Sequence, residues 1–360
     1  MMEPNTVLDK NSQQDPGRPK YRVVQWATGT IGARALRGVI GHPELELVGL
    51  FVHSADKAGR DAGELCGLPP TGVLATDDIE QILDLDADCV LYMPLLFDGD
   101  TVVRLLTAGA NVVTTCGAFH HPGSMDPALR HQVQHACGLG RSSVHSTGSS
   151  PGFISEAVPL VLSSIQRRLD RLAIDEYADL SQRDSPSMLF DIMGFGSAPT
   201  EFDPARAEYL AASFGPSLRL LGDALGQPVD SLTAHGEVAT ARETFTIAAG
   251  TIERGTVAAQ RTTITAMVGD RPLLSFRATW YCGKDIDPTW DLHDTGWHIS
   301  VEGDAPLEVT LHFPIPLDRM AEISPAYTAN RAVNAIPAVC AAEPGIRTTL
   351  DLPHIITRLS

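Results

Sequence analysis

The sequence has few positive charges, few aromatic residues and no long apolar run. Only 27 lysines and arginines stand against 44 aspartates and glutamates, which leaves a net charge of −17 with histidine neutral. Nucleic acids and anionic membrane surfaces attract concentrated Lys and Arg. The densest apolar run, residues 89–97, contains Pro94 and is about half of the ~20 residues that span a membrane. The sequence therefore predicts neither a nucleic-acid partner nor a membrane segment.

The cysteines argue against a disulfide-bonded secreted protein. All six are scattered, and no Cys-x-x-Cys pair occurs, a usage that indicates free thiols in a reducing cytoplasm. Residues 1–20 are polar and lack the apolar segment of a secretory signal, so we expect a disordered tail there. The remaining composition, 43% apolar and 20% charged over 360 residues, predicts about two globular domains at ~150 residues each.

Strands and helices alternate from Tyr21 onward. Strands are predicted at 22–27, 45–53, 88–93, 111–116 and 143–146, and helices at 31–40, 79–85, 101–108 and 127–137. Such alternation, with nearly continuous apolar strands, is typical of a parallel sheet covered by helices on both faces. Residues 21–150 are therefore predicted to form a dinucleotide-binding α/β domain of the Rossmann type, with a doubly wound parallel sheet.

The pattern changes after Ser150. A helix at 153–165, a strand at 172–180 and a mostly helical stretch at 204–225 precede two β-rich runs, 256–268 and 272–282, which meet at Gly269-Asp270 as in a hairpin. Further strands are predicted at 297–301 and 307–313. We expect a second α+β domain with a mainly antiparallel sheet over 151–324, for substrate binding and dimerisation. Residues 325–360 should return to the first domain through a helix at 326–339, broken near Pro337.

The turn after the first strand matches the dinucleotide fingerprint G-x-G-x-x-G, with alanine in the first place. It consists of Ala27, Thr28, Gly29, Thr30, Ile31 and Gly32. Gly29 would let backbone N–H groups approach a pyrophosphate at the helix N-terminus, and Gly32 would let the helix pack closely on the strand. A glycine turn without a ligand is the alternative, but the apolar strand before it and the amphipathic helix after it favour a cofactor site.

The residues at the end of the second strand help to distinguish an NAD site from an NADP site. An NAD site usually has Asp or Glu there, which binds the ribose hydroxyls. Here the tip is His53 and Ser54, and Lys57 and Arg60 follow. A hydroxyl and two cations suit a 2′-phosphate, which favours NADP over NAD. The alternative is a solvated loop in which two nearby aspartates offset the cations.

Ligands of doubly wound sheets bind outside the carboxyl ends of the strands. That rule selects two further groups for the cofactor site, Met93, Pro94 and Leu95 in the first and Cys116, Gly117 and Ala118 in the second. Cys116 is also a candidate nucleophile. The alternative is that its thiol is buried and inert.

Hydride transfer needs a proton donor near the oxygen or nitrogen on which charge develops. His120 and His121 are the best candidates for this donor. The alternative is that they are turn histidines, hydrogen-bonded to the backbone before Pro122. Tyr92 is a third catalytic candidate, with a core tyrosine as its alternative. Phe119, Tyr177 and Met193 are predicted to line the substrate pocket.

Two further patterns are weaker. Glu176 alternates with Tyr177 and Asp179 on one predicted strand, so it points to the opposite face, and either face could reach a cleft. His131 and His135 have metal-ligand spacing, but no acidic or cysteine partner stands at the expected distance, so no metal is predicted.

Three segments carry a resemblance to a known family. They are 27–32, 146–153 (STGSSPGF, similar to Gly-Thr-Gly-x-Asn-Pro-Gly-Phe) and 331–344 (RAVNAIPAVCAAEP), and they bracket nearly all of the ordered chain. They resemble the group of 2,4-diaminopentanoate dehydrogenases and native amine dehydrogenases. Residues 54–67 (SADKAGRDAGELCG) are similar to the loop after the second strand of the related dihydrodipicolinate reductase.

The resemblance implies a Rossmann domain, a second domain that closes a cleft, NADP or NAD, and a homodimer. It implies hydride transfer at a C=N or C=O carbon, with reductive amination of small aldehydes and ketones by ammonia in the amine dehydrogenase branch. It places residues 147–152, including Ser150, and Asn334 of the last segment near the cofactor.

The chain departs from the family pattern at two places. The amine-forming branch is expected to carry a carboxylate after the fifth strand, in a Thr-Cys-Glu-Glu-like sequence, whereas this chain reads TCGAFHH at 115–121. Ser150 stands where that group has asparagine. The second domain also lacks the His-His pair and Lys expected of dihydrodipicolinate reductase, which excludes that activity.

The sequence thus predicts an NADP-dependent oxidoreductase in the cytoplasm, acting on a small carbonyl or amine. Two alternatives stay open, a carbonyl reductase without amine chemistry and an NADP-binding sensor without turnover.

Overall fold

A computed structural model describes residues 20–199, 202 and 204–359. The predicted N-terminal tail, 1–20, lies outside the described residues except for Lys20. The described chain builds two seven-stranded sheets and one small hairpin.

The first sheet is parallel throughout. Its strands are β1 (Tyr21–Trp26), β2 (Leu45–Phe51), β3 (Ala75–Thr76), β4 (Cys89–Tyr92), β5 (Asn111–Thr114), β6 (Ser143–Ser146) and β16 (Gly345–Ile346), in the order β16-β6-β5-β4-β1-β2-β3. The helices of this half are α1 (Thr30–Ile40), α2 (Ala62–Leu65), α3 (Ile79–Leu83), α4 (Gly99–Thr107) and α5 (Pro127–Gly140). The Rossmann-type sheet predicted from the alternating pattern is confirmed.

The second sheet is mainly antiparallel. Its strands are β7 (Leu169–Asp179), β8 (Ser231–Ala241), β11 (Val257–Val268), β12 (Arg271–Tyr281), β13 (Ile286–Asp287), β14 (Gly296–Gly303) and β15 (Leu307–His312). They run in the order β13-β8-β11-β12-β7-β14-β15, with β7 and β12 as the one parallel pair of this sheet. Strands β9 (Phe245–Ile247) and β10 (Gly250–Ile252) form the small hairpin. The predicted fold class is confirmed in this half too.

The α-helices that accompany the second sheet and the chain end include α6 (Val158–Ser163), α7 (Pro204–Ala224), α8 (Leu317–Ile323) and α9 (Pro325–Cys340). Helix α7 covers one face of the sheet, where Phe214 stacks on Phe276 with ring centroids 4.0 Å apart. Full burial of such a side chain contributes about 1.5–3 kcal/mol. Helix α9 packs against α1, with Val333 beside Gly38, and β16 adds a strand to the first sheet.

One local prediction was wrong, and one strand was missed. Helix α9 does not break near Pro337 but continues to Cys340. Proline removes one hydrogen bond of the last turns, while Ile336 and Val339 on either side are fully buried and hold the helix in place. Strand β8 was missed because Gly236 and polar residues interrupt its pattern. A Cβ at Gly236 would lie 2.0 Å from the Phe202 ring, so this strand needs a glycine.

Within the described residues, no helix has the length and apolarity needed to cross a membrane.

Candidate functional site

The glycine-rich turn has the geometry of an anion site. Ala27 adopts a φ of +71° and donates its N–H to the Phe51 carbonyl over 2.8 Å. Gly29 is the N-cap of α1, and a Cβ added there would meet nothing within 4 Å, whereas one on Gly32 would lie 2.3 Å from the Ala27 carbonyl oxygen. Among the described residues, no side chain caps α1. Its first N–H groups therefore have no side-chain partner and are available to a pyrophosphate.

The loop after β2 brings positive charge beside this turn. Lys57 Nζ donates to the Thr28 hydroxyl over 3.2 Å, and Arg60 is exposed. His53 is exposed too, with its ring edge-on to Phe51, and the Ser54 hydroxyl donates to Asp56.

Of the two nearby aspartates, Asp56 lies close to both cations: the Ser54 hydrogen bond, together with Lys57 and Arg60, lowers the pKa of its carboxyl. Asp61 has other partners. It accepts backbone N–H groups of Thr71, Gly72 and Gly63, and these bonds, led by the one from Thr71, lower the pKa of its carboxyl against the opposing effect of burial. Asp61 instead holds its own loop together. The residues present therefore fit a dinucleotide, with one side of the loop suited to a further phosphate.

The loops after β4 and β5 lie side by side. Cys116 Sγ is 4.0 Å from the Pro94 carbonyl oxygen, and burial raises the pKa of the Cys116 thiol, which makes it a poor nucleophile. Met93 is buried, whereas Leu95 is 98% exposed. Gly117 is exposed and Ala118 half-buried. Both loops are thus placed next to each other at the carboxyl edge of the sheet.

The three predicted catalytic residues are hydrogen-bonded to other protein groups or buried among them. The Tyr92 hydroxyl accepts the Asp98 N–H and donates to the Asp98 carbonyl, and burial raises the Tyr92 pKa to about 12. His121 Nε2 lies 2.9 Å from the Asp223 carboxylate, and its Nδ1 lies 2.7 Å from the Ser124 hydroxyl. His120 is 2% exposed. Their catalytic role stays a prediction.

His120 belongs to a buried polar cluster that sequence reasoning missed. Its Nδ1 lies 2.6 Å from Glu156 Oε1. Ser217 donates to the same oxygen over 2.6 Å, and the Thr349 hydroxyl donates to the other. Burial alone would raise the pKa of Glu156, but the charge of His120 and these hydrogen bonds together lower it.

His145 lies close to this cluster. Its Nδ1–H donates to the Arg347 carbonyl over 2.8 Å, and burial lowers its pKa to about 4, so the ring is neutral at neutral pH. Its Nε2 has no hydrogen-bond partner among the described residues. The cluster ties the loop after β5, helix α7 and the C-terminal segment to one another.

A cavity of about 540 Å³ opens between the two halves of the chain. On the side of the first sheet it is lined by Thr30, Ile31, Ser149 and Ser150. On the side of the second sheet it is lined by Glu176, Trp297 and Phe313, and along α9 by Pro325, Tyr327 and Thr328. A smaller cavity of about 160 Å³ shares Glu176, Trp297 and Phe313 and adds Tyr177.

The cavity gathers some of the predicted site residues and leaves others elsewhere. Thr30, Ile31, Ser150 and Tyr177 line one of the two cavities. The Ser150 hydroxyl has no hydrogen-bond partner among the described residues. His120, His121 and Tyr92 are not among the described residues that line either cavity.

The other predicted pocket residues have different surroundings. Phe119 is fully buried in the core of the first half, against Phe97. Met193 is half-buried, and its carbonyl accepts a hydrogen bond from Gln260 over 2.5 Å. Asn334 lies half-buried on α9. Sequence reasoning missed Trp297 and Phe313, because the approach of β14 and of the residue after β15 to the glycine turn is a tertiary contact.

No group of three His, Cys, Asp or Glu side chains suited to a metal ion occurs in the part of the chain that the structure describes.

Comparison with known proteins agrees with this geometry. The family model of the 2,4-diaminopentanoate dehydrogenase C-terminal domain matches residues 153–359, and that of the dihydrodipicolinate reductase N-terminus matches residues 23–92. An amine dehydrogenase from Streptomyces virginiae is 29% identical over 348 residues, which are 92% of this chain and 95% of that protein. A 4-hydroxy-tetrahydrodipicolinate reductase from Synechococcus elongatus is 40% identical over 63 residues, 18% of this chain and 23% of that one.

The structure of an amine dehydrogenase from Mycobacterium smegmatis shares the fold, with a TM-score of 0.74 at 20% identity over 94% of this chain and 97% of that chain. The resemblance stated from the three sequence segments is confirmed. The chain belongs to the family defined by the 2,4-diaminopentanoate dehydrogenase C-terminal domain, and it is an enzyme, an NAD(P)-dependent oxidoreductase.

Proposed function

We propose that the enzyme is an amine dehydrogenase that uses NADP. A primary ammonium compound, NADP⁺ and water would yield a carbonyl compound, ammonium, NADPH and a proton, and the reverse reaction would be reductive amination. The observation that carries the proposal is the cavity that joins the glycine turn to an aromatic wall with one carboxylate. When bound, the nicotinamide supplies the hydride acceptor or donor. A homodimer in the cytoplasm belongs to the same proposal, on the strength of the family resemblance and the scattered cysteines.

The cofactor would lie along the carboxyl edge of the first sheet. Gly29 and Gly32 would hold the pyrophosphate, and residues 93–95, 116–118, Ser150 and Asn334 would surround the nicotinamide end. Leu95, which is 98% exposed, offers apolar surface that a bound cofactor would cover.

Ser54, Lys57 and Arg60 would bind the 2′-phosphate. Replacing Lys57 and Arg60 together by alanine should raise KM for NADPH at least about tenfold, because a hydrogen bond to a charged group contributes about 1.5–3 kcal/mol. KM for NADH should change little. Arg254→Ala, at an exposed arginine of the second half, is the control. Equal losses with both cofactors would show that this loop does not read the phosphate.

The proposed reaction is tested by nicotinamide absorbance with a panel of small aldehydes and ketones, with and without excess ammonium. Turnover that depends on ammonium supports amine chemistry. A second candidate, a carbonyl reductase, is favoured by the absence of a carboxylate in 115–121. It predicts turnover that is independent of ammonium.

A further inference from the structure

Glu176 presents a carboxylate to the cavity between the two halves of the chain. It lies on β7, directly opposite Trp297 on β14 and diagonal to Trp280 on β12. The Trp297 indole donates to Oε2 over 2.9 Å, and the Trp280 indole donates to Oε1 over 3.4 Å. Two neutral N–H groups therefore fix the orientation of the carboxylate. A carboxylate has about four acceptor positions, so each oxygen can accept a further donor.

Glu176 has no counter-ion among the described residues. Other acids of the same sheet do: Asp175 pairs with Arg277 at 2.7 Å, and Glu237 forms a bidentate pair with Arg261 at 2.6 and 2.9 Å. Arg183 lines the same cavity but forms no ion pair with Glu176 in the described part of the chain. A half-buried carboxylate is stabilised by a cation, and here the position for that cation faces the cavity.

The wall beside Glu176 is aromatic, whereas serines and threonines line much of the rest of the cavity. Trp297 meets Phe313 edge to face at 4.6 Å, and Phe313 stacks on Tyr327 at 4.6 Å. Met188 lies on the same cavity wall. Aromatic faces attract cations, and they also bury short hydrocarbon chains. The surroundings thus suit a ligand with one positively charged nitrogen and a small apolar body.

The same cavity reaches Thr30, Ile31 and Ser150 at the cofactor turn. A ligand held by Glu176 would therefore lie in the space that the proposed nicotinamide site adjoins. We propose that Glu176 binds the protonated nitrogen of a small primary amine or of ammonium. It would supply, from the second sheet, the carboxylate that is missing after β5. This inference rests on the proposed function only in taking the amine as substrate.

The test compares two probes of one shape, pentylammonium and 1-pentanol, on the full chain. Binding is measured by calorimetry and by fluorescence of the tryptophans that flank Glu176, with and without NADP⁺. Wild type should bind pentylammonium about 10- to 100-fold more tightly than pentanol, the size of one charge-assisted hydrogen bond. Glu176→Gln keeps the side-chain shape and should lose this preference. Glu308→Gln, on exposed β15, removes the same charge elsewhere and should keep it.

Three outcomes bear on the assignment. Equal binding of the two probes by wild type overturns it, whatever happens to the variants. A preference that survives in Glu176→Gln overturns it as well. A preference that disappears in Glu176→Gln and survives in Glu308→Gln supports it. If that pattern occurs in an enzyme that never turns over with ammonium, the proposed reaction is wrong and the ammonium site stands.

Discussion

Two buried titratable side chains govern how this protein should respond to mutation and to pH. Glu156 and His145 lie near each other, and neither lines the cavity in the described structure. Both have a lowered pKa, for opposite reasons. The charged form of Glu156 is favoured by its partners, whereas burial disfavours the charged form of His145.

Glu156→Gln should lower the free energy of unfolding by about 1.5–3 kcal/mol, because the buried Ser217 and Thr349 hydroxyls lose a charged hydrogen-bond acceptor. The lowered pKa of Glu156 means that its contribution is complete above the unfolded pKa of about 4.3 and is lost as pH falls through the folded value. Urea unfolding at neutral pH measures the effect. A loss as small as that of Glu308→Gln would contradict this role of Glu156.

His145 should make stability depend on pH in a higher range. Since its folded pKa of about 4 lies below the ordinary 6.5, the unfolded chain binds the proton first. Stability is therefore full above about pH 6.5 and falls towards pH 4, by about 3 kcal/mol in all. His145→Asn should flatten this part of the profile in urea unfolding between pH 7.5 and 4.5. An unchanged slope would mean that His145 does not titrate in this way.

At the residue scale, the sequence indicates features that a local constraint fixes. A Cβ on Gly32 would lie 2.3 Å from the Ala27 carbonyl oxygen, a close approach that the glycine fingerprint indicates, while the cofactor role of Gly29 and Gly32 stays a prediction. Glu156 was missed because its partners Ser217 and Thr349 lie 61 and 193 positions away. Trp297, which orients Glu176, is 121 positions distant, and no local pattern indicates such a pair.

Among the elements, α1 begins near two glycines that we expect to have different roles, one in cofactor binding and the other also in folding. Gly29 has a φ of −69° and open space around its Cβ position. Gly32 is confined by the Ala27 carbonyl. The two glycines therefore predict different results for substitution.

Gly29→Asp should leave stability unchanged or raise it by a few tenths of a kcal/mol, because aspartate caps a helix slightly better than glycine. It should weaken NADPH binding at least about tenfold, since its charge opposes the pyrophosphate. Gly32→Ala should lower the melting temperature as well as affinity. Thermal unfolding without cofactor and fluorescence titration with NADPH measure the two effects. Unchanged NADPH affinity in Gly29→Asp would exclude this turn as the pyrophosphate site.

Helices and strands were predicted correctly where their hydrophobic pattern was strong. Strand β6 was predicted with its observed bounds, and the hairpin of β11 and β12 was predicted from Gly269-Asp270. Strand β8 was missed because its pairing with β11, rather than its own residues, makes it a strand.

At the scale of the whole molecule, the order of elements was the strongest signal. Alternating strands and helices followed by long strand pairs were enough to predict two different sheets. The cleft between them was not predictable in detail, because it depends on how β7 and β14 face α9 and the turn before α1.

The proposed homodimer is also a whole-molecule property. Sedimentation of the full chain should give the mass of two chains at micromolar concentration. The mass of one chain, with turnover intact, would show that catalysis needs no partner and that the family resemblance does not extend to assembly.

The proposed reaction transfers nitrogen from ammonium to the product. Mass spectrometry of the product formed from NADPH, a small ketone and ¹⁵N-ammonium tests this step. An amine dehydrogenase should give a primary amine that carries the label, formed in proportion to the NADPH consumed. An unlabelled alcohol as the product of NADPH consumption would contradict it.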